Sequence, residues 1–223
     1  HRNTRRQRQM CIRDRANGSE PWIVPDVKKL PPIDVKFADK SNIVDGQFMP
    51  YLRKKDTLAR PWAKPGTENL EHRIGGIEKE DVTGNVNYDP ENHHFMVKTR
   101  ALKVQNIANE LPPTDVFGEK SGDLLILSWG GTQGACRSAT EALINDGKKV
   151  SHIHLRWINP LPNDLGELLI KFKHTLIPEI NLGQLIKIIR AEYLIDAIGL
   201  NKVKGKPISS AEIQENVKKI LEK

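Results

Sequence analysis

Between Asp123 and Trp129 the chain reads Asp-Leu-Leu-Ile-Leu-Ser-Trp, an apolar run too short to span a bilayer and too continuous to keep one face in water. Such a run fits a strand covered on both sides, and strands of that kind belong to sheets flanked by helices. The residues that follow agree. Gly130 to Gly134 turns the chain, and Ala135, Cys136, Ala139, Ala142 and Leu143 then recur at helical spacing. A second strand is expected from Val150 to Trp157, a short helix from Leu165 to Lys171, and a third strand from Thr175 to Glu179. Asn181 is placed to cap a helix on which Leu182, Leu185, Ile186 and Ile189 share a face. Ser209-Ser210-Ala211-Glu212 has capping-box spacing, with Ile213, Val217, Ile220 and Leu221 as the apolar stripe behind it. Strands alternating with helices predict an α/β domain over residues 121–223, with a mostly parallel sheet and right-handed crossovers.

Residues 16–118 have a different character. Turn signals at Asn17-Gly18, Pro31-Pro32, Lys64-Pro65-Gly66, Gly75-Gly76 and Asp89-Pro90 leave long irregular stretches between them. Loops in such number are kept where they bind something or fold over a partner. One regular element is expected, a helix from about Glu91 to Asn109 with Phe95, Met96, Val104 and Ile107 as an irregular apolar stripe. Pro112-Pro113 ends it. No internal repeat is evident.

The chain has 223 residues, enough for one large domain or two modest ones, and its hydrophobic content of 38% is that of a globular protein. Its formal charge of +7 suggests an anionic partner until the charge is located. Residues 1–15 hold six Arg against one Asp, so most of the excess sits in that short segment. Nothing after Arg15 interleaves cations with aromatics as a single-strand binding surface would, so no nucleic-acid partner is expected. Residues 1–15 lack apolar periodicity and read as a disordered arm or as sequence foreign to the fold, the second reading being preferred. With no apolar run of membrane length and no secretory signal in the first 25 residues, the expectation is a cytoplasmic protein with no membrane partner. Cys11 and Cys136 supply neither a disulfide framework nor the spacing of a zinc or iron–sulfur site.

Three places carry chemically useful side chains. The turn Gly130-Gly131-Thr132-Gln133-Gly134 joins a strand to a helix, where backbone N–H groups receive an anion or meet a partner surface; a tight turn without a ligand accounts for the same residues. Its glycine spacing matches neither the P-loop nor the dinucleotide fingerprint. The stretch Glu71-His72-Arg73-Ile74-Gly75-Gly76-Ile77-Glu78 sets a titratable ring, a guanidinium and a carboxylate around a flexible glycine pair, as an anion-binding loop or a surface salt-bridge cluster would. His93-His94 point about 100° apart on a helix and do not converge on one metal, so no metal site is expected. Cys136 lies on an apolar helical face and reads as a buried small hydrophobe. No Ser/His/Asp or Cys/His arrangement supports a hydrolase.

Several segments, taken in order, resemble the alpha subunit of 2-oxoacid:ferredoxin oxidoreductases of the 2-oxoglutarate type. They are Ala16-Asn17-Gly18-Ser19-Glu20-Pro21-Trp22, Thr57-Leu58-Ala59-Arg60-Pro61-Trp62, His72-Arg73-Ile74-Gly75-Gly76-Ile77-Glu78 and Asp89-Pro90-Glu91-Asn92-His93. They continue with Gly122 through Gly130, His154-Leu155-Arg156, Asn159-Pro160-Leu161-Pro162 and Pro178 through Leu185. The resemblance covers residues 16–223. It implies that residues 16–118 are the C-terminal part of a pyrimidine-binding thiamine domain. Residues 121–223 would be a three-layer α/β domain similar to the C-terminal domain of transketolases. It further implies oxidative decarboxylation of 2-oxoglutarate to succinyl-CoA with reduction of ferredoxin, or the reverse. Thiamine diphosphate with Mg2+ and an iron–sulfur cluster would be held mainly by a beta subunit, and none by this chain alone. The partners implied are that beta subunit, in an alpha–beta heterodimer or its dimer, with ferredoxin and CoA acting on the whole enzyme.

The Tyr-Pro-Ile-Thr-Pro-type and Arg-Gly-Gly-Pro-Ser-Thr-Gly motifs of such subunits do not occur in this sequence. The expectation is therefore a truncated chain that does not turn over 2-oxoglutarate by itself. No catalytic residue is assigned. Arg73, His72 and Arg60 are the expected contacts to a distal substrate carboxylate, since a guanidinium fork matches that group. Gly75, Gly76, Glu78, Gly130, Gly131 and Thr132 are the expected anion-binding or interface positions. A non-catalytic assembly or binding module that keeps the transketolase-like domain is the alternative.

Overall fold

Leu124, Leu125, Ile126 and Leu127 are all wholly buried in the computed structural model of the chain, which describes residues 24–32 and 35–222. The strand they form is thus covered on both faces, as its composition requires. The chain divides into two compact units, one from Val24 to Leu111 and one that begins at Pro112. The Arg-rich segment 1–15 lies outside the described residues.

In the first unit, strands β1 (Ile43–Val44) and β2 (Gln47–Phe48) form a short antiparallel hairpin. Asp45 and Gly46 turn it with φ of 50° and 76°, the paired positive values that suit an Asp-Gly hairpin turn. Helix α1 (Pro90–Gln105) starts where Asp89 accepts hydrogen bonds from the N–H groups of Glu91 and Asn92, with proline in its first turn. A 3-10 stretch, Asn106–Glu110, continues it before Pro112. Only Met96 and Thr99 of α1 are buried. The expected apolar stripe therefore fails as a buried face: Phe95 stays 48% exposed, and Val104 and Ile107 are exposed too. The physical reason is the size of the local core, which consists of Ala38, Phe48 and Leu70 with Ile43 and Ala63 against them. Polar contacts secure the helix instead. Asn92 donates to the Lys79 carbonyl at 3.0 Å and accepts from the Asp81 N–H at 3.2 Å.

The second unit is built on a five-stranded sheet. Its strands are β3 (Val116–Phe117), β4 (Gly122–Trp129), β5 (Val150–Leu155), β6 (Phe172–Glu179) and β7 (Ile198–Asn201), in the order β3-β5-β4-β6-β7. All neighbours are parallel except β3, which runs antiparallel at one edge. Helices α2 (Gln133–Asn145) and α5 (Ser210–Leu221) cover one face, where Cys136, Ala139, Leu143, Ile213 and Val217 pack on Leu124, Ile126 and Leu176. Helices α3 (Leu165–Leu169) and α4 (Gln184–Tyr193) cover the other, where Leu165, Leu169, Leu185 and Ile189 pack on Leu125, Leu127, Ile153 and Ile177. Alternate residues of one strand feed opposite cores, which makes three layers.

Sequence and structure differ at particular points. Strand β5 stops at Leu155 rather than Trp157, and β6 begins three residues before Thr175. Strand β7 and the edge strand β3 were not expected; both are short and only half-buried, so no apolar run marks them. Leu182 is 81% exposed, because the chain turns through Gly183, at φ 83°, before α4 begins. Asn181 does accept from the Gly183 and Gln184 N–H groups at 2.8 and 3.0 Å. The next two N–H groups, of Leu185 and Ile186, go to the buried carboxylate of Glu179 at 2.9 and 3.1 Å. The Ser209 and Glu212 capping box forms as expected.

Replacing Glu179 with Ala should cost about 3 kcal/mol, because buried N–H donors lose a charged acceptor. Urea unfolding of the chain followed by circular dichroism measures it. A loss no larger than that of an exposed substitution would show that the carboxylate does not hold α4.

Candidate functional site

Parallel sheets of this kind expose ligand-binding crevices at the carboxyl ends of their strands, where neighbouring strands connect in opposite directions. Here that point lies between β4 and β6, since the chain leaves β4 for β5 on one side and returns to β6 on the other. Glu179 ends β6 and accepts from the Trp129 indole N–H, which ends β4, at 3.3 Å. Gly130 and Gly131 follow Trp129 on the surface, while Thr132 is buried and donates its hydroxyl to the Trp129 carbonyl at 2.9 Å. Thr132 is therefore spent on the turn. Gly130 and Gly131 remain open, with no atom within 4 Å of where a side chain would begin.

Beside this turn lies a polar cluster that the sequence reading missed. The buried Ser128 hydroxyl sits 2.7 Å from His152 Nε2 and 2.8 Å from His154 Nδ1. It has one proton, so it donates to one ring and accepts N–H from the other, and both rings are satisfied when neutral. Burial, then the neighbouring His154 and Arg137, pushes the His152 pKa down to about 4. Burial and Arg156 lower that of His154 as well. Cys136 on α2 is wholly buried, and burial pushes its thiol up to about 11, against the pull of the Ser128 and Thr132 hydroxyls. Such a thiol is not a nucleophile. The signal was present as Ser128 on one strand and His152 and His154 on the next, two apart and so on one face, but the pairing register that joins them is not written in either segment.

The loop of residues 71–78 is dispersed rather than convergent. His72 Nδ1 lies 2.8 Å from the Leu70 carbonyl, and its ring meets Phe48 edge-on at 5.1 Å. Arg73, Gly75 and Gly76 are exposed, and Arg73 makes no ion pair among the described residues. Glu78 belongs to a salt-bridge cluster: it accepts from Arg100 at 3.1 Å and meets His93 Nδ1 at 2.5 Å. Arg100, then His93, holds its carboxyl at a pKa of about 2. Arg60 has other neighbours, its guanidinium lying 4.2 Å from the Tyr51 ring centre. Among the described residues no group of three or more His, Cys, Asp or Glu could hold a metal, and no helix is long and apolar enough to cross a membrane.

The unit from Pro112 onward defines a mixed α/β protein with a mostly parallel sheet. No protein-family model matches the chain. It is 42% identical over 207 residues to the 2-oxoglutarate oxidoreductase subunit KorA of Mycobacterium tuberculosis, a match covering 92% of this chain and 31% of that one. It is 27% identical over 220 residues to the 2-oxoacid:ferredoxin oxidoreductase subunit alpha of Saccharolobus solfataricus, covering 94% and 34% respectively. Among solved structures it matches a 2-oxoglutarate:ferredoxin oxidoreductase from Magnetococcus marinus that has 2-oxoglutarate, coenzyme A and succinyl-CoA bound. That match has a TM-score of 0.78 and 31% identity over 87% of this chain and 34% of that one. The chain is homologous, over most of its length, to the alpha subunits of 2-oxoacid:ferredoxin oxidoreductases. It spans about a third of the length of these two curated relatives.

The neutral histidine pair gives stability a pH dependence. An unfolded His takes up a proton near 6.5, while folded His152 stays neutral down to about 4. Between these values the unfolded state binds the extra proton, so this contribution is complete above pH 6.5 and is lost as pH falls through 4. At about 1.4 kcal/mol per pKa unit it amounts to about 3 kcal/mol. Urea midpoints measured across pH 4 to 7 should fall with pH, and less steeply in His152→Gln. Equal slopes in both proteins would rule the histidine out.

Proposed function

We propose that this chain is the C-terminal part of the alpha subunit of a thiamine diphosphate-dependent 2-oxoacid:ferredoxin oxidoreductase acting on 2-oxoglutarate. In this reading residues 16–118 are the last portion of a pyrimidine-binding domain, and residues 121–223 are a transketolase C-terminal-like domain. A beta subunit completes the enzyme, and ferredoxin and CoA act on the assembly. The observation that carries the reading is the 42% identity to a 2-oxoglutarate oxidoreductase subunit, sustained across 92% of the chain.

The first unit supports it. Phe95, Val97 and Leu102 on α1 are exposed, as are Trp62, Ile74 and Tyr88. The Lys79 ammonium is buried and has no hydrogen-bond partner among the described residues. A buried ammonium needs an acceptor, and further polypeptide packed on this unit would supply both the acceptor and the apolar cover.

The described residues do not form a binding set for the enzyme's prosthetic groups: none gathers carboxylates for Mg2+, and Cys136 is a single buried thiol. Those groups are assigned to the beta subunit, where thiamine diphosphate would supply the carbanion chemistry. This chain's share would be binding. Arg73, free of ion pairs among the described residues and set beside the Gly75-Gly76 pair, would meet the distal carboxylate of the substrate, with His72 next to it. Arg60, the third candidate, lies over the Tyr51 ring.

Mixed with its beta subunit, the chain should form a stable complex yet fail to reduce methyl viologen with 2-oxoglutarate; measurable reduction overturns the assignment of a partial subunit. In a full-length relative, replacing the residue at the Arg73 position with Ala should raise KM for 2-oxoglutarate about tenfold, equivalent to about 1.4 kcal/mol, with kcat little changed. An unchanged KM returns Arg73 to the solvated surface.

A further inference from the structure

Within the first unit, residues 35–38, 42, 52, 54 and 59–62 surround an open cavity of about 460 Å³. Its construction is specific. The Ala38 N–H donates to the Trp62 carbonyl at 2.9 Å and ties the two walls together. The turn that carries Arg60 is closed by two hydrogen bonds of 2.9 Å, from the Lys54 N–H to the Ala59 carbonyl and from the Leu58 N–H to the Lys54 carbonyl. The Asn106 side chain holds the same turn from outside, donating to the Asp56 carbonyl at 3.2 Å.

The lining combines two kinds of group. Val35, Phe37, Leu52 and Trp62 present apolar surface, and Trp62 is 67% exposed with its ring 5.8 Å from that of Phe37. Lys54 and Arg60 present cations, and Lys36 also belongs to the lining. Arg60 lies over the Tyr51 ring, which fixes the plane of the guanidinium and leaves its N–H edge for an acceptor. No carboxylate lines the cavity among the described residues. The nearby acids are engaged: Asp39 caps the 3-10 turn at Ser41, Asp56 accepts from the Thr57 N–H, and Asp81 pairs with Arg53 at 2.6 Å.

We propose that this cavity is the docking site for a segment of the beta subunit that carries carboxylates beside an apolar side chain, the apolar group seating on Trp62 and Phe37 and the carboxylates meeting Arg60 and Lys54. The inference rests on the alpha-subunit reading and adds the surface and its occupant. Two observations choose a polypeptide. An exposed tryptophan next to a preorganised arginine is the composition of an interface anchor, and small-molecule sites enclose their ligands more fully than a cavity with so exposed a wall.

The test uses the full chain with p-benzoylphenylalanine in place of Trp62, photolysed in complex with the beta subunit and mapped by mass spectrometry. The cross-link should fall in a beta-subunit segment containing Asp or Glu. In parallel, Lys54→Glu with Arg60→Glu should weaken beta-subunit binding at least about tenfold and flatten its salt dependence, and Trp62→Ala should weaken it by a similar factor without that flattening. Lys54→Gln with Arg60→Gln, whose exposed side chains leave the core untouched, should lie between. Unfolding midpoints equal to the parent's confirm that each variant folds. Binding that survives all three changes overturns the inference and leaves the alpha-subunit reading intact, as does a cross-link to residues 112–222 of the same chain or to a segment without acids. Failure of the parent chain to bind the beta subunit overturns both.

Discussion

The second unit depends on one buried carboxylate. Glu179 ends β6 with almost no exposed surface, and its two oxygens accept from the Trp129 indole, the Asn181 amide and the N–H groups of Leu185 and Ile186. A carboxylate in that position would be costly without partners, and four donors meet the demand. The same four bonds fix the end of β4, the turn after β6 and the first turn of α4. The carboxyl ends of β4 and β6 are therefore fixed against each other, with Gly130 and Gly131 exposed beside them. Polar burial there constrains geometry more than it adds stability, since much of each bond replaces one to water.

The Ser128 cluster applies the same logic to groups that titrate. Two histidines share one hydroxyl, and the arrangement closes only while at least one ring is neutral and can accept the serine proton. Protonating both would leave the serine proton without a ring acceptor and place two charges on one face of β5. Burial lowers both pKa values, reinforced at His152 by His154 and Arg137 and at His154 by Arg156. The sheet end is thus built for neutral pH, and Cys136 beneath it is packing rather than chemistry.

What was legible in the sequence follows from how local the physics is. The run at residues 123–129 announced a covered strand because its burial is encoded residue by residue, and the Ser209 to Glu212 capping box was readable because both partners lie within one turn. Strand β7 was not legible: its four residues alternate and include a glycine, so only pairing with β6 makes them a strand. The Asp45-Gly46 hairpin was readable in principle, but flanks of two residues gave little period to support it. The histidine cluster and Glu179 needed the register between strands far apart in sequence, which no single segment contains. In residues 71–78 the composition was read correctly, yet Glu78 turned out to be bound to His93 and Arg100, partners on a helix that the loop itself does not encode.

The two units meet the cost of folding in different ways. The unit from Pro112 onward buries two apolar layers and leaves its polar groups paired, so it can stand as a body with its own core. The unit from Val24 to Leu111 has three buried side chains in its small cluster and a 16-residue helix that buries two residues. Helices owe most of their stability to packing of one face, and this one offers Phe95, Val97 and Leu102 to water instead. Charged contacts such as Arg53 with Asp81 and Glu78 with Arg100 hold the backbone in place, the first with its arginine nearly buried, but a half-exposed pair such as the second contributes little. Polypeptide packed on this unit would add the apolar burial that its small core lacks. If the chain works within a longer alpha subunit joined to a beta subunit, as proposed, that polypeptide would cover the exposed face of this unit, and the cationic, aromatic cavity would meet an acidic segment.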